Sequence, residues 1–195
     1  MDGTIGVILS GGQSRRMGRD KAGVMLTGRT LLDRKAAELA PLFGEVYVSV
    51  DRPGRYPGYR ELVDLRPGQG PLAGLEAAFL RTGAEAVFLA AVDLPFAGAS
   101  LAARILREIE PGDACVIRRR SGEAEPLFAL YRRGCLEPLV ACLNEGRRAV
   151  KALLDRVACR WLEEDDLPEF DLERALWNVN TGVEFRRAVE SEKEK

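Results

Sequence analysis

The sequence predicts a three-layer α/β sandwich, a mainly parallel, Rossmann-like sheet with helices packed on both faces. Two observations carry this. Short apolar runs alternate with longer segments of helical spacing. One run, Ala86 to Val92, is almost wholly apolar, as a central parallel strand buried on both faces must be. The chain has 195 residues, 46% hydrophobic and 30% charged, enough apolar material for one sizeable core and too short for two ordinary domains, so a single domain is expected over residues 1–195.

The elements follow in order. Thr4 to Leu9 reads as the first strand and runs into a glycine-rich loop, Ser10 to Asp20. Thr30 to Leu42 carries Leu31, Leu32, Leu39 and Leu42 at roughly helical spacing, and Gly44 ends it. Glu45 to Val50 is the second strand; a Pro/Gly/Tyr-rich surface loop around Tyr56 to Gly58 leads to a short third strand, Glu61 to Val63. Pro71 to Leu80 is a helix with proline near its start. The apolar strand Ala86 to Val92 ends at Asp93-Leu94-Pro95, which places a carboxylate at a strand's carboxyl end. Beyond it come a helix from Ser100 to about Ile109, strands at Ala114 to Ile117 and Leu127 to Tyr131, and helices at Cys135 to Leu143 and Ala149 to Val157. Glu163 to Glu169 reads as an exposed loop. Thr181-Gly-Val-Glu184 matches a capping box that starts a last helix, and the charged tail from Glu190 is expected to fray.

Composition excludes several chemistries. With no histidine, no Ser-His-Asp triad, Cys-His pair or imidazole zinc site can be built. The four cysteines, Cys115, Cys135, Cys142 and Cys159, form no CxxC pair and read as buried thiols. A net charge of −1 with interspersed signs implies no overall attraction to nucleic acid or to an anionic membrane. The apolar run Ile5 to Leu9 is too short for a span or a signal peptide, so a cytoplasmic protein is expected. Chemistry must rest on Asp, Glu, Lys, Arg, backbone amides and a hard metal ion.

The loop Ser10-Gly11-Gly12-Gln13-Ser14-Arg15-Arg16-Met17-Gly18-Arg19-Asp20-Lys21 suits a polyphosphate. Glycines let consecutive amides approach an anion, and Arg and Lys neutralise oxygens that no amide reaches. It is neither a Walker A loop nor a GxGxxG fingerprint. Arg16 and Lys21 are the candidates for binding a triphosphate and stabilising the charge that grows on it. Asp93 lies where open α/β sheets place ligands, and one carboxylate with phosphate oxygens and waters makes a Mg²⁺ site. Gly70-Pro71-Leu72-Ala73-Gly74 joins a restricted backbone to small side chains, a surface against which a flat base can pack. Arg147, with Arg148, is a candidate for an acceptor's phosphate.

Four ordered segments carry a resemblance. Leu9-Ser10-Gly11-Gly12 through Arg16-Met17-Gly18 to Asp20-Lys21 resembles the signature loop of molybdenum cofactor guanylyltransferases and their nucleotidyltransferase relatives, with Ser10 where alanine is typical. Asp64 to Gly74 is similar to the family's second motif, Asp93-Leu94-Pro95-Phe96 to its metal-site motif, and Asn178-Val179-Asn180-Thr181 to its late asparagine motif. The resemblance implies a sandwich of the nucleotide-diphospho-sugar transferase type, GTP as donor, molybdopterin as acceptor and Mg²⁺ held by Asp93. It places Leu9, Ser10, Gly11, Gly12, Lys21, Ser49, Asp64, Gly70, Pro71, Leu72, Gly74 and Asp93 on the nucleotide, and Asn178 and Asn180 on the pterin. Contacts with molybdoenzymes or other cofactor-biosynthesis proteins are implied in the same way. Two departures bear on substrates: Ser49 stands where asparagine is frequent, and Glu125-Pro126 where many of these enzymes carry His-Pro. A relative using CTP or another phosphorylated acceptor, and a non-catalytic GTP-binding module, stay open. The Ser-Gly-Gly start, rather than Ala-Ala-Gly, leans towards guanylyl transfer.

Overall fold

The computed structural model describes residues 3–10 and 20–193. The sheet has seven strands. β1 (Thr4–Leu9), β4 (Val46–Val50), β5 (Arg60–Val63), β6 (Ala86–Ala91), β7 (Ala114–Arg118), β8 (Ala124–Arg132) and β9 (Cys159–Glu163) lie in the order β5-β4-β1-β6-β8-β7-β9. Only β8 runs against its neighbours, antiparallel to both β6 and β7. Its amino end therefore lies at the same edge as the carboxyl ends of the other six strands. A two-strand ribbon, β2 (Met25–Leu26) and β3 (Arg29–Thr30), lies outside this sheet.

Side-chain alternation along the central strands builds two cores. On β1 and β6, Ile5, Val7, Leu9, Val87 and Leu89 enter one, with α2 (Pro71–Thr82), α4 (Leu136–Asn144) and α5 (Val150–Leu154). Ile8, Phe88 and Ala90 enter the other, with α1 (Leu31–Leu39) and α3 (Ala99–Arg107); the chain end, α6 (Leu172–Ala175) and α7 (Gly182–Lys193), adds Leu172, Val179 and Ala188 there. Phe88 has two ring neighbours, Phe43 of the α1–β4 connection at 5.5 Å and Phe128 of β8 edge-on at 5.0 Å. Truncation of such a ring to alanine costs about 3–5 kcal/mol.

Helix ends obey local rules where the sequence supplies them. Thr30 and Asp33 close the capping box of α1, with Asp33 N–H donating to Thr30 Oγ1 at 2.9 Å. The helix stops at Leu39 rather than Leu42 because Pro41 offers no N–H to continue it. Thr181 and Glu184 cap α7 as expected: Glu184 Oε2 accepts from Thr181 N at 2.8 Å. That helix continues through Glu190 to Lys193. The segment expected as a loop from Glu163 contains the end of an edge strand, β9, and a 3-10 turn, Glu164–Asp166. Arg118 of β7 pairs with Glu163 across that edge. The predicted helix over Ala149 to Val157 is a shorter one, Val150–Leu154. Cys115, Cys135 and Cys142 are buried free thiols, whereas Cys159 is half-buried.

Candidate active site

At the carboxyl edge of the sheet, β1 and β4 deliver Leu9, Ser10 and Ser49, β5 leads into Asp64, and β6 into Asp93. Ser10 is buried and its hydroxyl donates to the Ser49 carbonyl at 2.8 Å, tying the ends of β1 and β4 together. Ser49 Oγ in turn donates to Asp64 Oδ1 at 2.8 Å. Burial raises the Asp64 pKa, against the lowering effect of that hydroxyl. Gly74 in the second turn of α2 completes the group: a Cβ there would stand 2.7 Å from Ser49 Oγ and 3.0 Å from Leu9 Cδ2, so only glycine lets the helix approach this closely. Gly70, at φ +74°, takes the left-handed region as the cap of α2, and Pro71 follows as its first residue. Thus Leu9, Ser10, Ser49, Asp64 and Gly74 of the predicted nucleotide set come together at this edge, with Gly70 and Pro71 at the start of the same helix, whereas Leu72 is fully buried in the core beneath.

The predicted loop residues Gly11, Gly12 and Arg16 lie outside the described residues. The chain on its far side is anchored. Asp20 accepts from Ala22 N at 3.2 Å, from Tyr56 Oη at 2.7 Å and from Arg55 at 3.3 Å. Lys21 follows, opening a 3-10 turn, Lys21–Gly23. Its ammonium donates to Asp93 Oδ2 at 3.0 Å and to Asn180 Oδ1. The Val179 N–H donates to the Asp93 carbonyl at 2.8 Å, so the late asparagine segment is pinned to the carboxylate it flanks. The other Asp93 oxygen, Oδ1, is buried without a hydrogen-bond partner among the described residues, a costly arrangement unless something else meets it. Lys21 therefore joins Asp93 and Asn180, three residues predicted from separate parts of the chain, through one ammonium.

The acceptor set is less unified. Asn178 is half-buried beside Asn180, in the layer of α1 and α3. Arg147 belongs to the opposite layer, on the α4–α5 connection, where its guanidinium pairs with Glu145 at 3.2 Å. The neighbouring Arg148 carbonyl would be 3.7 Å from a Cβ at Gly70. Arg147 thus stands nearer the nucleoside motifs than its predicted role suggests.

Two charged residues were assigned no role from the sequence, Glu125 having been noted only as a departure from His-Pro. Glu125 enters the same edge from the amino end of β8. The β6–β8 register, Ala90 opposite Phe128, when carried on towards the edge, brings Glu125 level with Asp93. Burial, with the Asp93 charge adding to it, pushes the Glu125 carboxyl up to about 7, although Leu127 N–H donates to it and Arg119 lies nearby. Lys35 of α1 is 1% exposed and reaches the loop that follows Asp93. Its spacing from Leu31 and Leu39, four residues each way, is the available signal: it puts Lys35 on the apolar face.

A cluster of this kind, phosphate-suited on one side and base-suited on the other, fits nucleotidyl transfer, and the comparisons agree. The MobA-like NTP transferase domain model matches residues 6–160. The molybdenum cofactor guanylyltransferase of Desulfosudis oleivorans is 33% identical over 192 residues, covering 96% of this chain and 95% of that protein. That of Rhizobium meliloti is 35% identical over 194 residues, covering 93% and 88%. The crystal structure of molybdopterin-guanine dinucleotide biosynthesis protein A from Archaeoglobus fulgidus superposes with a TM-score of 0.85 at 25% identity, over 98% of this chain and 100% of that one. With a matching model over most of its length and relatives above 30% identity end to end, the chain belongs to the MobA-like NTP transferases, among the molybdenum cofactor guanylyltransferases, and is a nucleotidyltransferase.

Proposed function

We propose that the protein transfers the GMP moiety of GTP to the phosphate of molybdopterin, releasing pyrophosphate and forming the guanine dinucleotide cofactor, with Mg²⁺ as its metal. The single observation that carries this reading is the meeting of Asp93 and Asn180 on the Lys21 ammonium, with the second Asp93 oxygen buried and, among the described residues, unpartnered. An orphaned carboxylate oxygen beside a cation is suited to a divalent ion. Among the described residues no group of three or more Asp, Glu, Cys or His side chains stands ready for a metal, so Asp93 would hold it with phosphate oxygens and water. When bound there, the ion neutralises negative charge on the phosphates.

The chain's own groups supply the rest. Transfer to the α-phosphorus requires in-line approach of the acceptor oxygen, so catalysis is mostly positioning and charge neutralisation. Lys21 leaves Asp93 for the triphosphate oxygens and stabilises the charge that grows as pyrophosphate departs; Arg16, Gly11 and Gly12 act on the same phosphates. The wall made by Gly70, Pro71 and Gly74, over the buried Leu72, receives the guanosine, with Ser49 and Asp64 as its polar edge. Asn178 and Asn180 offer amide donors and acceptors to the pterin. No helix among the described residues is long and apolar enough to cross a membrane, which fits the cytoplasmic setting we assign.

The test is pyrophosphate release from GTP and from CTP with Mg²⁺ and purified molybdopterin, for wild type and Asp93→Ala. GTP-dependent release, reduced about 1000-fold or more in the variant, is the expected result. Binding of GTP without release would point to a sensor, and preference for CTP would overturn the base assignment.

A further inference from the structure

The loop that carries Asp93 has little to hold itself. Between the end of β6 and the start of α3, Leu94 N–H reaches Ala91 O at 3.4 Å and Ala97 N–H reaches Leu94 O at 3.2 Å. The cap of α3 is Gly98, which has no side chain to satisfy the first amides of the helix. Both deficits are met from α1. Lys35 Nζ donates to Leu94 O at 2.7 Å and to Ala97 O at 2.5 Å, bridging the two carbonyls of the turn, and stands 5.2 Å from the centre of the Phe128 ring. One helical turn on, Glu38 Oε2 accepts from Ala99 N–H at 2.8 Å, doing for α3 what the Gly98 cap cannot. A Cβ on Gly98 would lie 3.1 Å from that oxygen, so the close approach uses the glycine.

A buried lysine is unusual, and leaving it there serves no packing purpose that methionine would not serve. What it adds is a donor with two partners, both in the Asp93 loop. The amino end of the same helix grips the other member of the ion pair: Leu31 N–H donates to Val24 O at 2.9 Å, and Val24 N–H to Lys21 O at 3.0 Å. Helix α1 is thus the rigid piece common to the Lys21 turn and the Asp93 loop.

We infer that Lys35, seconded by Glu38, is a positioning residue for the active site: by bridging Leu94 and Ala97 it fixes the Asp93 loop, and through α1 it sets the Lys21–Asp93 spacing. This rests on the reading of Asp93 given under Proposed function. Lys35 touches neither substrate nor metal, so its loss should slow the chemistry without weakening nucleotide binding in proportion.

The experiment uses the full chain as wild type, Lys35→Met, Glu38→Leu, Glu38→Gln and Asp93→Ala. Two readouts are taken: turnover over a Mg²⁺ titration, and hydrogen exchange at the Leu94, Ala97 and Ala99 amides without ligands. Lys35→Met keeps an unbranched side chain of nearly the same length and removes the donor. It should lower kcat about 10- to 100-fold, raise the Mg²⁺ needed for half-activation about 10-fold, leave the KM for GTP within about 3-fold, and speed exchange in the loop about 10-fold. Glu38→Leu should do the same more weakly, and Glu38→Gln, which retains an acceptor for Ala99, should restore wild-type exchange and turnover. If Lys35→Met does not fold, the Glu38 pair decides by that contrast. Asp93→Ala inactive while a folded Lys35→Met keeps wild-type kcat and metal requirement overturns the inference alone; Asp93→Ala at wild-type turnover overturns both it and the reading beneath it.

Discussion

The two ends of the proposed site differ in how their polar groups are satisfied. On the nucleoside side the strand-end groups satisfy one another: Ser10 donates to Ser49 O, Ser49 to Asp64, and Gly74 closes on both strands. On the transfer side Asp93 keeps one buried oxygen without a partner among the described residues, and Glu125 is held near neutrality by burial and by Asp93. Unpaired oxygens also occur on the nucleoside side among the described residues, at Gln69, next to Gly70, and at Glu76, which keeps Arg66 at 3.1 Å on its other oxygen. A pre-paired surface provides a fixed shape, which suits recognition of a rigid base. An incompletely paired one retains electrostatic potential for a ligand that brings charge of its own. The difference makes the two sides respond to substitution in different kinetic parameters.

The largest expected effect is on the transfer side. Lys21→Ala removes the cation from Asp93 and from the triphosphate together, and should lower kcat about 100- to 1000-fold, the usual cost of one charge-stabilising donor. Steady-state pyrophosphate release checks this, and a variant that loses only GTP affinity would place Lys21 with the nucleoside side instead.

A smaller effect, in the other parameter, is expected from Gly74→Ala. The new Cβ would meet Ser49 Oγ at 2.7 Å, and the hydroxyl can yield only by leaving Asp64. Overpacking of this kind costs about 1–3 kcal/mol, offset by about 1 kcal/mol from replacing a helical glycine. The KM for GTP should rise about 5- to 10-fold with kcat nearly unchanged. In a Ser49→Ala background the nearest remaining contact is Leu9 Cδ2 at 3.0 Å, a movable side-chain end, so the second substitution should recover much of the lost stability. Additive melting shifts would show that the two residues do not press on one another.

What the sequence disclosed of this arrangement follows the same division. A glycine-rich segment behind a strand, a carboxylate at the end of an all-apolar strand and Gly-Pro at a helix start are local patterns, and Asp93 and Gly74 were legible from them, whereas Ser49 and Asp64 came only with the family resemblance. Long-range placement was not. Arg147 was grouped with Asn178 and Asn180 by chemistry, yet the chain puts it in the other layer. Lys35 was passed over because lysine is ordinarily solvated, although its place between Leu31 and Leu39 already put it on the buried face. β9 was missed because an edge strand reading Cys-Arg-Trp-Leu-Glu buries only Leu162 fully and shows no clean alternation. The β2–β3 ribbon turns through Thr27 and Gly28, both at positive φ, on strands of two residues that leave no periodicity to read.

The smallest expected effect isolates the unpaired side by pH. In the folded chain Glu125 titrates at about 7, against 4.5 for a free glutamate. Between those values the folded state binds the proton more tightly than the unfolded one, so this residue's contribution to stability is greatest below about pH 4.5. It is lost progressively as pH rises to about 7, and above that the buried charge is a constant penalty. Glu125→Gln keeps the shape and cannot ionise. The variant and the wild type should therefore have similar stability near pH 4.5, and the variant should be ahead by roughly 1–3 kcal/mol at pH 8, measured by urea unfolding at both values. Because every other titrating group is shared by the two proteins, the difference between their curves reports Glu125. A difference that does not change with pH would mean that the carboxyl is well solvated, and the contrast between the two ends of the proposed site would then rest on Asp93 alone.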